Sequence, residues 1–534
     1  MTDSAEKLVA ADPHELIDHG HASSAAIDDL GDRAKRGSAI VFGAMMLQRG
    51  IGLICLAILA RKLNPEDFGL VGMVAVLSAI LTIFADLGLP EAVVQKANLT
   101  RRELSAAFWL NVLASCAIGG IMVAMAHPLA WFYGDGRLVK LTMVFAIYFP
   151  LLGLGAQHYA LLVRRMQYKR LALSETIGFG LGGLSGIWFA AHGFGAYALI
   201  LQQIVNITII TSMNWCFAHW LPGLPSRQHS LRGMVHVGGN LTASKLVEYV
   251  IKNLDNFLLG RFAGAAALGL YTRAYTLMSY PILLVSAPMA RVTMPVLAKL
   301  QHDLPRLRQG YVRVLQMIAF ISFPMMLGLI VTSEQVIRVI YGGKWTSVVP
   351  IFQILCIAGL YQGIYGAVSQ LFVATGRTDR MLRCNVALCI AMAAAFAIGV
   401  QWGPIGMAAA YAGTLTVLIL PYLAYVYRTV DLKLTTVLAA LRAPFLAALT
   451  MAAVVWVFEP PTGPGWHPLI RLAVSGTIGV VVYFALMIFF ARRFMSEVVI
   501  ATLTGMVPRL RRFIATPAPT EPAVEVGALT AEAA

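Results

Sequence analysis

Charge is scarce in this chain. Asp, Glu, Lys and Arg together make up 13% of its 534 residues, while 58% are apolar. Soluble globular domains carry about 25% charged residues, so the composition excludes that class and points to a polytopic α-helical membrane protein. Cysteine is nearly absent as well. Its six copies, Cys55, Cys116, Cys216, Cys356, Cys384 and Cys389, fall in apolar stretches with no C-x-x-C pair and no metal-type spacing. They read as small core hydrophobes, and no disulfide, metal or other cofactor is expected. No apolar run opens the chain, so no secretory signal is expected. No G-x-x-x-x-G-K-[ST] occurs, which argues against ATP hydrolysis. Basic residues outnumber acidic ones, 41 to 26, yet no basic run interleaved with aromatics marks a nucleic-acid surface.

Long apolar windows are present instead. They recur near 38–60, 69–92, 105–127, 138–161, 171–191 and 196–219, then near 235–260, 267–297, 312–332, 346–373, 384–401 and 404–427, with a final pair near 437–458 and 469–491. These fourteen windows are each long enough to span a bilayer. With the N-terminus inside, 28 basic residues lie on the cytoplasmic side and eight outside, which fits the positive-inside rule. The expected organisation is therefore a tail over 1–36, six helices over 37–220, six more over 221–430, two helices over 431–492 and a tail over 493–534. The two tails, polar or rich in Pro, Ala and Glu, are expected to be disordered and cytoplasmic.

The two six-helix groups share a pattern. Leu59, Arg61, Gly69 and Leu70 match Leu259, Arg261, Gly269 and Leu270 at an offset of 200, and Arg36-Gly37 matches Arg232-Gly233 at 196. An even number of helices per copy leaves both in one orientation, related by an axis along the membrane normal.

Five basic residues remain inside the apolar windows: Arg49, Lys245, Lys252, Arg273 and Arg291. In the seventh window Lys245, Glu248, Lys252 and Asp255 recur at steps of three, four and three, sharing one helical face. Each such charge costs roughly 2.5–3.5 kcal/mol at a bilayer centre, so that face must look into protein or a wet cavity. Lys245–Glu248 and Lys252–Asp255 can be i,i+3 pairs that only join helices. Arg49, Arg273 and Arg291 have no obvious acidic partner, and five cations against two anions suit a phosphate-bearing ligand. Glu248 and Asp255 would shape that field or couple to an ion. Tyr249, Tyr271 and Tyr275 are candidates for stacking on sugars, although tyrosine is also an interface anchor. Asp86 is a candidate gate or helix-end contact. His158 reads as a proton relay or a satisfied buried histidine. Pro281, Pro288 and Pro295 would bend the eighth helix.

The run LARKLNPEDFGLVGMVAVLSAILTIFADLGLPEAVVQKANLTRRELSAAFWLN, with YVIKNLDNFLLGRFAGAAALGLYTRAY in the second half, resembles bacterial polysaccharide transporters. These are the Wzx-type oligosaccharide flippases of the multidrug/oligosaccharidyl-lipid/polysaccharide exporter superfamily. The resemblance implies an all-α fold with two six-helix bundles in a V around a central cavity, plus two C-terminal helices. It implies translocation, without enzyme chemistry, of an undecaprenyl-pyrophosphate-linked oligosaccharide across the bacterial inner membrane by alternating access. The product would feed lipopolysaccharide or exopolysaccharide synthesis, with a polymerase and a chain-length regulator as pathway partners. Arg49, Lys245, Lys252, Arg273 and Arg291 would then hold the pyrophosphate and acidic sugars.

Three rivals are set against it. A cation-coupled multidrug exporter needs acidic residues in its cavity, and Gly37–Ala60 contains no Asp or Glu. A lipid II flippase shares the pyrophosphate and stays open. A membrane polymerase or ligase would carry a large outer loop, and the outer loops here are short, with no paired carboxylates for acid–base work.

Overall fold

The computed structural model describes residues 24–85, 89–96, 99–223, 232–301, 303–458 and 467–490. Within these, side chains at 24–40, 232–248, 250–252 and most of 284–298 lie outside the described set. Helices account for nearly all of the described chain. The first group contains α1 (Ser24–Lys62), α2 (Pro65–Ala85), α3 (Leu89–Gln95), α4 (Arg101–Ala124), α5 (Ala126–Tyr133), α6 (Arg137–Phe145), α7 (Tyr148–Arg164), α8 (Tyr168–Ala191) and α9 (Ala196–Ala218). The second contains α10 (Arg232–Lys299), α11 (Leu304–Val331), α12 (Ser333–Ile340), α13 (Val348–Ala374), α14 (Thr378–Gly399) and α15 (Gly403–Arg428), followed by α16 (Leu434–Val457) and α17 (Pro468–Phe490).

All fourteen expected windows are helical, and among the described residues ten stretches are long and apolar enough to cross a membrane. The chain is an all-helical, multi-pass membrane protein. The expected boundaries shift in three places. Helix α1 starts at Ser24, so 24–36, assigned from the sequence to a tail, continue the first span as one 39-residue helix. Its Ala-rich start contains no proline to stop it. The fourth window is two helices, broken at Ala146–Ile147, because Pro150 has no N–H to donate back to Ala146. The seventh and eighth windows are the arms of α10, bent at Gly264 (φ 83°, ψ 178°), a conformation that only glycine adopts without strain. Pro281, Pro288 and Pro295, where bends are expected, all lie within α10 after that glycine. The cysteines also differ from expectation: Cys55 and Cys356 are buried, but Cys116 and Cys216 are exposed on apolar helices.

Packing follows the two groups. Helices α8 and α9 pair along their length, α1 lies on α8, and α7 packs against α4 and α9. In the second group α11 packs on α13 and α16, and α13 on α15. The α8–α9 contact depends on glycine. Gly178, Gly182 and Gly186 occur every fourth residue, and a Cβ on them would crowd Ile210, Asn206 and Gln202, a matching ridge on α9. Ser174 Oγ donates to Asn214 Oδ1 at 2.8 Å beside it.

Basic residues in the loops expected to face the cytoplasm bond to backbone carbonyls. Arg164 Nη1 donates to Val93 O at 2.8 Å and also to Lys96 O. Arg165 reaches Ala218 O at 2.8 Å, and Arg170 reaches Phe217 O at 3.0 Å. In the second group Arg308 Nε donates to Val430 O at 2.7 Å, and Arg377 donates to Thr429 O. These carbonyls end helices and have no partner within them, so each guanidinium satisfies acceptors the backbone leaves open.

Candidate functional site

Helices α2 and α10 join the two groups. At their crossing the backbones touch. A Cβ on Gly69 would fall within the Ala265 carbonyl, and one on Gly269 would fall within the Pro65 carbonyl. Beside this crossing, side chains bond from one group to the other. Arg61 Nη2 donates to Val339 O at 2.6 Å, Trp345 Nε1 donates to Ala60 O at 2.7 Å, and Lys344 Nζ donates to Leu63 O. Trp345 is fully buried and meets the Phe68 ring edge-on at 5.5 Å. Burial pulls the Lys344 ammonium below the ordinary lysine value, with Asp67 acting in the opposite direction.

Arg273 lies beside these bonds. Its guanidinium carbon stands 4.8 Å over the Phe68 ring, and its solvent-shielded Nε has no hydrogen-bond partner. The Tyr341 hydroxyl donates to the Arg273 carbonyl at 3.1 Å, fixing the backbone that carries it. Arg49 is exposed on α1. Tyr280 interacts electrostatically with both guanidiniums, and its hydroxyl sits 3.2 Å from where a Gly52 Cβ would be. Two of the five expected cations thus lie near one tyrosine between the halves. The side chains of Lys245, Lys252, Arg291 and Glu248, and all of Asp86, lie outside the described residues.

Asp255 joins the two arms of α10. It is 6% exposed, accepts from Tyr271 Oη at 2.9 Å and from Asn256 N at 2.8 Å, and so ties the arm of α10 before Gly264 to the arm after it. Tyr271 is fully buried with its hydroxyl engaged by Asp255, so it presents no face for sugar stacking in this conformation. Tyr275 is half-buried between Tyr271 and Tyr411, with ring centroids 6.3 and 6.0 Å away. Tyr249 is half-buried and its hydroxyl reaches Ala75 O at 3.5 Å. His158 is a buried aromatic-box residue: it stacks on Trp215 at 4.3 Å, and its Nε2 lies 3.2 Å from Trp220 O.

Two open grooves lie away from the halves' junction. One of about 480 Å³ sits between α3, α7 and α9, and one of about 730 Å³ lies on α14 and α15. In the sequence alone, Phe68, Tyr341, Lys344 and Trp345 carry no sign of their place where the two groups meet.

Residues 58–350, more than half of the chain, match the family described as "Polysaccharide biosynthesis protein". The chain belongs to that family. It is 28% identical over 362 residues to the lipopolysaccharide biosynthesis protein WzxC of Escherichia coli (strain K12), covering 67% of this chain and 73% of that one. It is 24% identical over 309 residues to the succinoglycan biosynthesis transport protein ExoT of Rhizobium meliloti (strain 1021), covering 58% of this chain and 63% of that one. The fold is shared with the lipid II flippase MurJ in an inward closed conformation, at a TM-score of 0.69 and 16% identity, over 86% of this chain and all of the other. The chain therefore has the MurJ-like fold and is a member of the polysaccharide-biosynthesis family.

Proposed function

We propose that this protein flips an undecaprenyl-pyrophosphate-linked oligosaccharide across the bacterial inner membrane, with both termini in the cytoplasm. The observation that carries the reading is Arg273. A guanidinium held at the junction of two halves, stacked on Phe68 and with a shielded Nε lacking a partner, retains donor capacity for an anion. Arg49 adds a second, exposed cation across Tyr280. Together they suit the pyrophosphate, the part of the cargo that must cross while its isoprenoid tail stays in lipid. Lys245, Lys252 and Arg291 belong to the same proposed site through their sequence positions, with Glu248 adjusting its field.

In this reading the bonds beside the α2–α10 crossing seal the outer end and give the cycle its direction. With that end closed, cargo enters from the cytoplasmic leaflet, where lipid-linked sugars are assembled, and leaves once the seal opens. A polymerase and a chain-length regulator would take the product on the outside. Deleting the gene and assaying which leaflet holds the lipid-linked oligosaccharide tests the reading. Accumulation in the inner leaflet is expected, restored by the wild-type chain but not by Arg273→Ala. Normal outer-leaflet delivery in the deletion strain would overturn it.

A further inference from the structure

The contact between Gly69 and Gly269 has a symmetry that the sequence repeat explains. Gly69 faces Ala265 O and Gly269 faces Pro65 O. Adding 200 to Pro65 and Gly69 gives Ala265 and Gly269, so the two contacts exchange under the repeat. A reciprocal contact of this kind is what a two-fold axis through the crossing produces. Each glycine sits where the other half's first-turn carbonyl comes closest, an approach that permits Cα–H···O contact and leaves no room for a side chain.

We infer that Gly69 and Gly269 are the residues that allow the outer end to close, and that the surrounding donors only hold it once closed. The chemistry of the two sets differs. Arg61, Lys344 and Trp345 donate to carbonyls near helix ends, and water can replace those bonds when the end opens. No solvent can replace the missing Cβ atoms. A methyl group at either glycine overlaps the opposing backbone, which unlike a flexible side chain cannot swing aside. Alanine is also the better helix former, so the substitution favours both helices and acts only against their approach. Gly72 is the internal contrast: its Cβ would meet only the Leu268 side chain, at 3.3 Å, which can adjust.

The test places a cysteine at Met73, 1% exposed and packed beside Gly260, in a chain otherwise stripped of cysteine. A membrane-impermeant maleimide is added from outside and the labelling rate is read. Gly69→Ala and Gly269→Ala are each expected to raise the rate about tenfold or more, a shift of population toward the open outer end. Gly120→Ala, with no atom within 4 Å, should leave it unchanged. Parental rates in both glycine variants at normal abundance would overturn the inference. A second arm needs neither variant to fold: Lys344→Ala with Trp345→Phe strips two donors and adds nothing to the crossing. The rate should rise by less than in the glycine variants, since water takes the place of the lost donors when the end opens. A rise to the level set for the glycine variants would assign closure to the donors instead. No cargo enters this assay, so its outcome is separate from the identity of what is carried.

Discussion

Two glycine-lined contacts divide this protein's labour differently. Within the first group, α8 and α9 meet along three glycines at every fourth position, each facing a side chain of Gln202, Asn206 or Ile210. Between the groups, α2 and α10 meet at one reciprocal pair of glycines, backbone on backbone. The first contact is long, carries a buried Ser174–Asn214 hydrogen bond and has no reason to part. The second is as extensive, but it is bordered by bonds that water can replace. Close approach through small residues thus serves permanence in one place and reversible meeting in the other. The number of glycines in register, and what they face, sets which.

The comparison can be broken most severely at the permanent contact. Gly182→Leu would place a side chain where even a Cβ comes within 2.8 Å of Asn206 Cβ and 3.0 Å of Gln202 O. Overpacking of this kind costs about 1–3 kcal/mol or more, so loss of folded protein from the membrane is expected, read by abundance and thermal unfolding in detergent. Unchanged unfolding would mean that α8 and α9 separate as easily as the halves do. Arg273→Ala should leave abundance normal and lower polymer export, on the order of tenfold, by removing the bidentate-capable donor. Arg273→Lys should restore only part of it, because an ammonium cannot stack on Phe68 as a guanidinium does. Export at wild-type level in both variants would remove Arg273 from the site.

A smaller effect sharpens the view of the outer seal. Trp345→Phe keeps a ring against Phe68 but deletes the bond to Ala60 O, a loss of about 0.5–1.5 kcal/mol that a modest fall in unfolding temperature would register. The smallest effect lies at the outer rim, where Arg137 bonds Asp135 and Glu66 at 2.7 and 2.6 Å. The Arg137 guanidinium beside Asp135 holds its carboxyl below the usual value. Its stabilising contribution is therefore complete above the ordinary carboxylate range and is lost as pH falls through the depressed folded value. Asp135→Asn should flatten that acid-side decline in a pH series of melting temperatures. An unaltered slope would show that the pair contributes nothing in solvent.

Much of the fold was legible because its signals are local. Apolar windows, basic loops and the offset-200 repeat can each be read from neighbouring letters, and every expected span is helical. The site was legible only in part. Arg49 and Arg273 fall near one another because intramembrane charge constrains where a helix can face. In the sequence Asp255 shares a helical face with Lys245, Glu248 and Lys252, which points it toward a cavity. Its partner in the structure is Tyr271, across a bend set by the backbone of one glycine. The bond from Lys344 to Leu63 joins residues 281 apart. No periodicity within a helix encodes such a pair. Gly69 and Gly269 were visible as a repeated letter, but what a missing Cβ permits depends on which backbone stands opposite.

The arginines in the loops expected to face the cytoplasm have one more consequence. The residues that bias which way the chain threads into the bilayer, such as Arg164, Arg165 and Arg377, also bind exposed carbonyls after folding. Orientation is a matter of charge alone, whereas those bonds need a planar fork. A lysine at Arg165 or Arg377 would leave insertion topology intact yet leave helix ends wet and frayed. A correctly threaded but loosened protein is thus attainable by one conservative change, and topology mapping alone would never notice it.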